Sequence, residues 1–122
     1  MKRDMDLVRK LLLQIEERTD TRFRADIAAG ASGEEVERLA YHIDMLISAG
    51  FLSGSPCHSS SGYEWLDLQL TWMGHEFLDT LRDPTVWERA KGAAERAGGA
   101  SLQVLLEVGK AIIVESAKGM LR

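Results

Sequence analysis

Three histidines, one cysteine and a run of glutamates are the residues of this 122-residue chain whose types could do chemistry. Cys57 and His58 are adjacent, while His42 and His75 stand apart from them. A structural zinc site needs four ligands, usually as two close pairs. One adjacent pair in a serine-rich loop does not supply that, so no metal site is expected. The same pair as nucleophile and base lacks anything to fix it in a water-excluded pocket. Glu34, Glu35 and Glu37 have the type of an acid/base cluster, but all three fall in the first turns of a predicted helix, where the helix dipole favours negative charge. The serines at 59–61 follow no strand-to-helix elbow, and no glycine-rich phosphate loop occurs. No catalytic residue, cofactor or small-molecule substrate is expected, and the chain reads as non-enzymatic.

The elements that must position these residues are drawn from an ordinary globular composition, 45% hydrophobic and 28% charged. A chain of this length can bury about two-thirds of its unfolded surface and needs no disulfide to fold. A single cysteine, no secretory signal and no apolar run approaching the roughly 18 residues of a membrane span predict a cytoplasmic protein. The net charge of -4 is unevenly placed: residues 25–84 carry two Lys/Arg against ten Asp/Glu, whereas both ends are slightly basic. An acidic middle disfavours unaided binding to phosphate backbones.

Asp4 can cap a first helix in which Met5, Val8, Leu11, Leu12 and Ile15 recur at helical spacing. Phe23 to Ala29 is either a strand or a degenerate helical turn, with strand preferred. Ser32 and Glu35 have capping-box spacing ahead of Val36, Leu39, Ala40, Ile43, Leu46 and Ile47, and Gly50 closes that helix. Phe51 to Ser55 and Tyr63 to Leu70 predict two strands joined by a long polar tip. Alternation in the second places Leu66, Leu68 and Leu70 towards the core and Tyr63 and Trp65 away from it. Thr71 can cap a helix carrying Met73, Phe77, Leu78 and Leu81, which Pro84 ends. Thr85 and Glu88 repeat the capping-box spacing before Val86 and Trp87, up to Gly98 and Gly99. Ser101 can cap a last helix with Leu102, Leu105, Leu106, Ile112, Ile113 and Met120.

Helix, short connection, amphipathic helix, two-stranded hairpin and helix is the order of a winged-helix domain. The expected fold is therefore mostly α (α+β): a winged-helix-like domain over 1–84 with a two-stranded wing, followed by two C-terminal helices over 85–122. Those helices either pack on the domain or, through 101–122, form a dimer contact. Nearly the whole chain resembles an uncharacterised bacterial and phage-borne family, domain of unknown function 2513. The resemblance rests on Met1-Lys2-Arg3-Asp4-Met5-Asp6-Leu7, on Tyr41-His42 with Ala49-Gly50-Phe51, and on Leu70-Thr71-Trp72 with Gly74-His75-Glu76-Phe77-Leu78-Asp79. Arg82-Asp83 and Thr85-Val86-Trp87 extend it. It implies a mobile-element setting and carries over no catalytic residue or ligand.

Opposite the core stripe of helix 33–49 lie Glu34, Glu37, Arg38, Tyr41, Met45 and Ser48, and His58 lies near the wing tip. One cation among these is poor equipment for reading DNA, whereas an exposed Tyr and Met in an acidic rim suit a protein interface. The expectation is an interaction module binding a host regulatory or defence protein. The rival is a dimeric DNA-binding transcriptional regulator using Arg38, Tyr41 and the basic ends. A membrane contact is disfavoured, since the last helix has a balanced polar face rather than a basic one.

Overall fold

Asp4 sits in extended conformation, and its carboxylate accepts the N–H groups of Asp6 and Leu7 at 3.0 and 3.2 Å, starting helix α1, Met5–Glu17. The computed structural model describes residues 2–18, 21–25, 33–60, 62–96, 98 and 101–120. Among them follow strand β1, Arg22–Arg24, helix α2, Gly33–Ser48, strands β2, Leu52–Pro56, and β3, Glu64–Leu70, then helices α3, Trp72–Leu81, α4, Pro84–Arg96, and α5, Leu102–Met120. The fold is mostly helical with one small antiparallel sheet. Ser32, Gly99 and the end of the segment expected to run to Ala29 lie outside the described residues. The chain divides into two compact units, Met1–His75 and Glu76–Arg122, and the division falls inside α3, ahead of the boundary expected at 84/85.

In the first unit α1 buries Val8, Leu11, Leu12 and Ile15, and α2 buries Leu39, Ala40, His42, Ile43 and Leu46. The two helices pack on each other, α1 on β3 and α2 on β2. Full burial of one such aliphatic side chain contributes about 1.5–3 kcal/mol. Gly50 ends α2 with φ +86°, a left-handed conformation that costs a residue without Cβ little.

The sheet has three strands, in the order β1-β3-β2, so the expected two-stranded wing gains Arg22–Arg24 as a partner of β3. Phe23 pairs with Trp65, and their rings meet edge to face at 6.3 Å. The hairpin is also closed further towards its tip than a long loop would be. Cys57 donates its N–H to the Glu64 carbonyl, and Ser59 and Gly62 exchange two backbone hydrogen bonds.

The expected facing of β3 holds for Leu70 and is overturned for Leu66, Leu68 and Trp65. Trp65 is fully buried and Leu70 is buried, while Leu66 and Leu68 are only half-buried. Trp65 and Leu70 are an odd number of residues apart, so plain alternation cannot put both on one face. A bulge resolves this: Ser53 pairs with Gln69 but Ser55 pairs with Leu66, so β3 holds one residue more than β2 in between. Asp67, at φ +53°, takes up the left-handed turn of the bulge. Opposite it, a Cβ on Gly54 would come within 3.1 Å of the Leu68 Cα, which explains a glycine there.

In the second unit α4 begins one residue earlier than its expected cap. Asp83, rather than Thr85, accepts the N–H groups of Thr85 and Val86, at 2.8 and 3.2 Å. Pro84 then occupies the first helical position, where a missing N–H costs nothing. Ser101 caps α5 as expected, accepting the Val104 N–H at 3.1 Å. Phe77 and Trp87 meet edge to face at 6.5 Å, and α4 packs along α5. A Cβ on Gly109 would come within 2.6 Å of Leu81 Cδ2, so α5 approaches the end of α3 closely at that glycine. Leu102, Leu105, Leu106 and Ile112 are buried within the chain, and α5 leaves Val104, Ile113 and Val114 exposed. Among the described residues no helix is long and apolar enough to cross a membrane.

The bulge gives a clean test by thermal or denaturant unfolding. Asp67→Gly is expected to leave stability unchanged or raise it slightly, because glycine adopts the left-handed conformation freely. Asp67→Val is expected to cost about 1–2 kcal/mol, the penalty of that conformation for a branched side chain.

Candidate functional site

Helix α2 presents one continuous stripe to solvent. Glu34, Glu37, Tyr41, Asp44 and Ser48 follow at alternating steps of three and four residues, and all five are exposed. Tyr41 is the large apolar side chain of the stripe, 40% exposed, with its ring edge-on to His42 at 5.5 Å. Three carboxylates therefore flank one aromatic ring. Asp44 was not among the residues singled out from the sequence, although its spacing from Glu37 and Tyr41 carried the signal.

The other residues of the expected interface are placed differently. Arg38 is exposed but is ion-paired with Asp4, and Met45 is half-buried rather than free. Through Asp4 the cation of α2 is joined to the residue that caps α1. Surface pairs of this kind contribute little stability, but they occupy the charge.

His42 is the one buried polar residue of the core described here, with no exposed surface. Its Nδ1 lies 2.7 Å from the Arg38 carbonyl and its Nε2 2.9 Å from the Asp4 backbone nitrogen. A backbone N–H can only donate, so Nε2 is the acceptor and Nδ1 the donor, which defines a neutral ring with its hydrogen on Nδ1. Both nitrogens are satisfied, as burial of polar atoms requires. The imidazole ties the start of α1 to the middle of α2 and has no valence left for a metal or a substrate.

His58 is folded back on the hairpin instead of reaching out from its tip. Its Nδ1 accepts the Glu64 backbone N–H at 3.2 Å, and its ring stands edge-on to Tyr63 and Trp65. Nε2 faces an oxygen of Asp44 at 3.8 Å, and the other oxygen of Asp44 accepts the indole N–H of Trp65 at 2.9 Å. His75 faces Glu16 of α1 at 3.9 Å. Cys57 is exposed with a free thiol. Among the described residues no three of His, Cys, Asp and Glu gather as a metal site.

Two further features were not read from the sequence as surface. Trp72, first residue of α3, is 79% exposed beside the partly exposed Met73. A groove of about 200 Å³ lies between α1 and α2, lined by Leu7, Leu11 and Leu39 together with Lys10, Gln14, Glu35 and Arg38. Its mixed lining commits to no ligand chemistry.

This geometry defines a small α+β protein whose conspicuous feature is a helix face rather than a cleft. By sequence the chain belongs to the family described as Hypothetical protein (DUF2513), whose model matches residues 2–100. It is 33% identical over 114 residues to an uncharacterized protein of Haemophilus influenzae, covering 93% of this chain and 96% of that one. No solved structure matches.

The role of His42 can be checked directly. Nitrogen-15 NMR of the imidazole should report the neutral form with hydrogen on Nδ1, the rarer tautomer of free histidine. His42→Ala should cost about 2 kcal/mol or more in unfolding, mostly from the cavity left by the buried ring, with a smaller part from the part-buried Asp4 N–H that loses its acceptor. An Nε2-protonated ring, or a loss below about 1 kcal/mol, would contradict the assignment.

Proposed function

We propose that this protein is a non-enzymatic interaction module on a winged-helix-like scaffold, and that it binds the basic surface of a protein partner through the outer stripe of α2. The observation that carries the reading is the placement of Tyr41 between Glu37 and Asp44 on an exposed helix face. An aromatic anchor contributes apolar area at low entropic cost, and it offers its ring face to an arginine. Carboxylates around it steer a basic partner in and penalise acidic ones.

The non-enzymatic part of the proposal rests on the same geometry. Glu34 and Glu37 lie along a solvated face and Glu35 is the one carboxylate among the described residues lining the groove beside α1, whereas general acid/base work needs carboxyl groups converging on a pocket that shifts their proton affinity. DNA reading is disfavoured on two grounds. The presented helix exposes carboxylates where phosphates would lie, and its cation Arg38 is already held by Asp4.

The test is affinity capture from lysate of the source cells with the full chain, in parallel with Glu37→Lys/Tyr41→Ala. Both positions are exposed, so the variant should keep the wild-type unfolding transition. A protein retained by the wild type should be depleted by roughly tenfold or more with the variant, since anchor residues contribute about 2 kcal/mol each. Equal retention, or cross-links that map away from α2, would contradict the proposal.

A further inference from the structure

One carboxylate joins the wing to α2. Asp44 holds the Trp65 indole N–H with one oxygen, at 2.9 Å, and faces His58 Nε2 with the other, at 3.8 Å. The opposite nitrogen of that imidazole, Nδ1, accepts the Glu64 N–H at 3.2 Å. The ring stands edge-on to Tyr63 at 5.1 Å and to Trp65 at 4.9 Å between centroids. Helix, strand and hairpin tip thus meet at one side chain.

The two nitrogens make opposite demands on a proton. Because Nδ1 accepts a backbone hydrogen, it is bare in this geometry, and the neutral ring carries its hydrogen on Nε2, towards Asp44. A second proton has only Nδ1 to go to. It turns the contact with Asp44 into one between full charges, and in the same step removes the acceptor used by the Glu64 N–H. The titratable groups around the ring are Asp44 from α2 and, on the hairpin, the Tyr63 phenol, the exposed Cys57 thiol and Glu64. The Glu64 carboxylate is turned to Arg22 at 3.3 Å.

We propose that Asp44, His58 and Trp65 form a proton-operated latch that sets how the tip of the wing is held on α2. With a neutral imidazole the tip is held by the Glu64 amide; with an imidazolium it is drawn to Asp44 and the amide is released. The latch stands whether or not α2 binds a partner, because it is built from contacts within the free chain. Its carboxylate belongs to the exposed stripe, so a basic partner that takes Asp44 would compete with it.

The test is nitrogen-15 NMR of the full chain titrated through about pH 5 to 8, the range in which histidine changes charge. It follows the His58 ring, the Glu64 backbone amide and the Trp65 indole N–H. The expected result is one shared midpoint for all three signals. In His58→Gln the amide and the indole should lose that transition. In Asp44→Asn, which keeps an oxygen for the indole, the ring and the amide should still titrate together while the indole no longer follows. His58 is at the surface and both replacements are close in size, so the fold should survive them. An amide and indole that stay flat while the wild-type ring titrates, or that keep the transition in His58→Gln, would overturn the latch.

Discussion

A neutral imidazole buried between α1 and α2 sets the geometry on which the outer face of α2 depends. His42 lies in the same stripe as Leu39 and Leu46, so turning it inward fixes the rotation of α2 about its own axis. With that rotation set, 3.6 residues per turn carry Glu34, Glu37, Tyr41, Asp44 and Ser48 outward. The hydrogen bond from the Asp4 amide adds a second constraint, because the residue that caps α1 is also the partner of His42 and of Arg38. A core leucine in place of His42 would fill the volume but could not join these backbones. The buried polar group is thus a positioning device, and its satisfaction on both nitrogens makes it compatible with the core.

The sheet obeys a second local constraint with a comparable reach. The extra residue at Asp67 lets Trp65 and Leu70 share the inner face. Burying Trp65 would strand its indole N–H unless an acceptor were near, and Asp44 supplies one from α2. Asp44 therefore belongs both to the outer stripe and to the support of the sheet. The three histidines follow a common pattern within the first unit. Each sits where one element meets another: His42 between α2 and α1, His58 between the hairpin and α2, and His75 between α3 and α1.

Much of this was legible from local pattern. The helices are amphipathic, and Asp4, Thr71 and Ser101 are short polar residues placed before apolar periodicity, so their capping roles follow from sequence alone. Features requiring two distant segments were not legible. The strand preferred from Phe23 onward is present at Phe23 and Arg24, but its pairing with β3, which makes the sheet three-stranded, joins segments distant in the chain and no local pattern encodes it. The inner face of β3 was misread because a bulge at a non-glycine residue leaves no turn signature in the chain. The cap of α4 was misassigned to Thr85 because the Pro84 ring was read as a stop for α3 and not also as a start. In the candidate site, Tyr41, Glu34, Glu37 and Ser48 came from helical spacing. The engagement of Arg38 with Asp4 and of His58 with Asp44 joins residues far apart in sequence, and no periodicity encodes that.

The proposed role of the acidic, aromatic face of α2 is to bind protein and not nucleic acid. Fluorescence anisotropy of a labelled generic DNA duplex, titrated with the full chain first at low salt and then at physiological salt, tests it most directly. With carboxylates on the presented face, no rise in anisotropy is expected even at low salt, where phosphate contacts are strongest. Tight binding that falls steeply as salt is raised would show cations converging on one face despite the carboxylates of α2, and would contradict it.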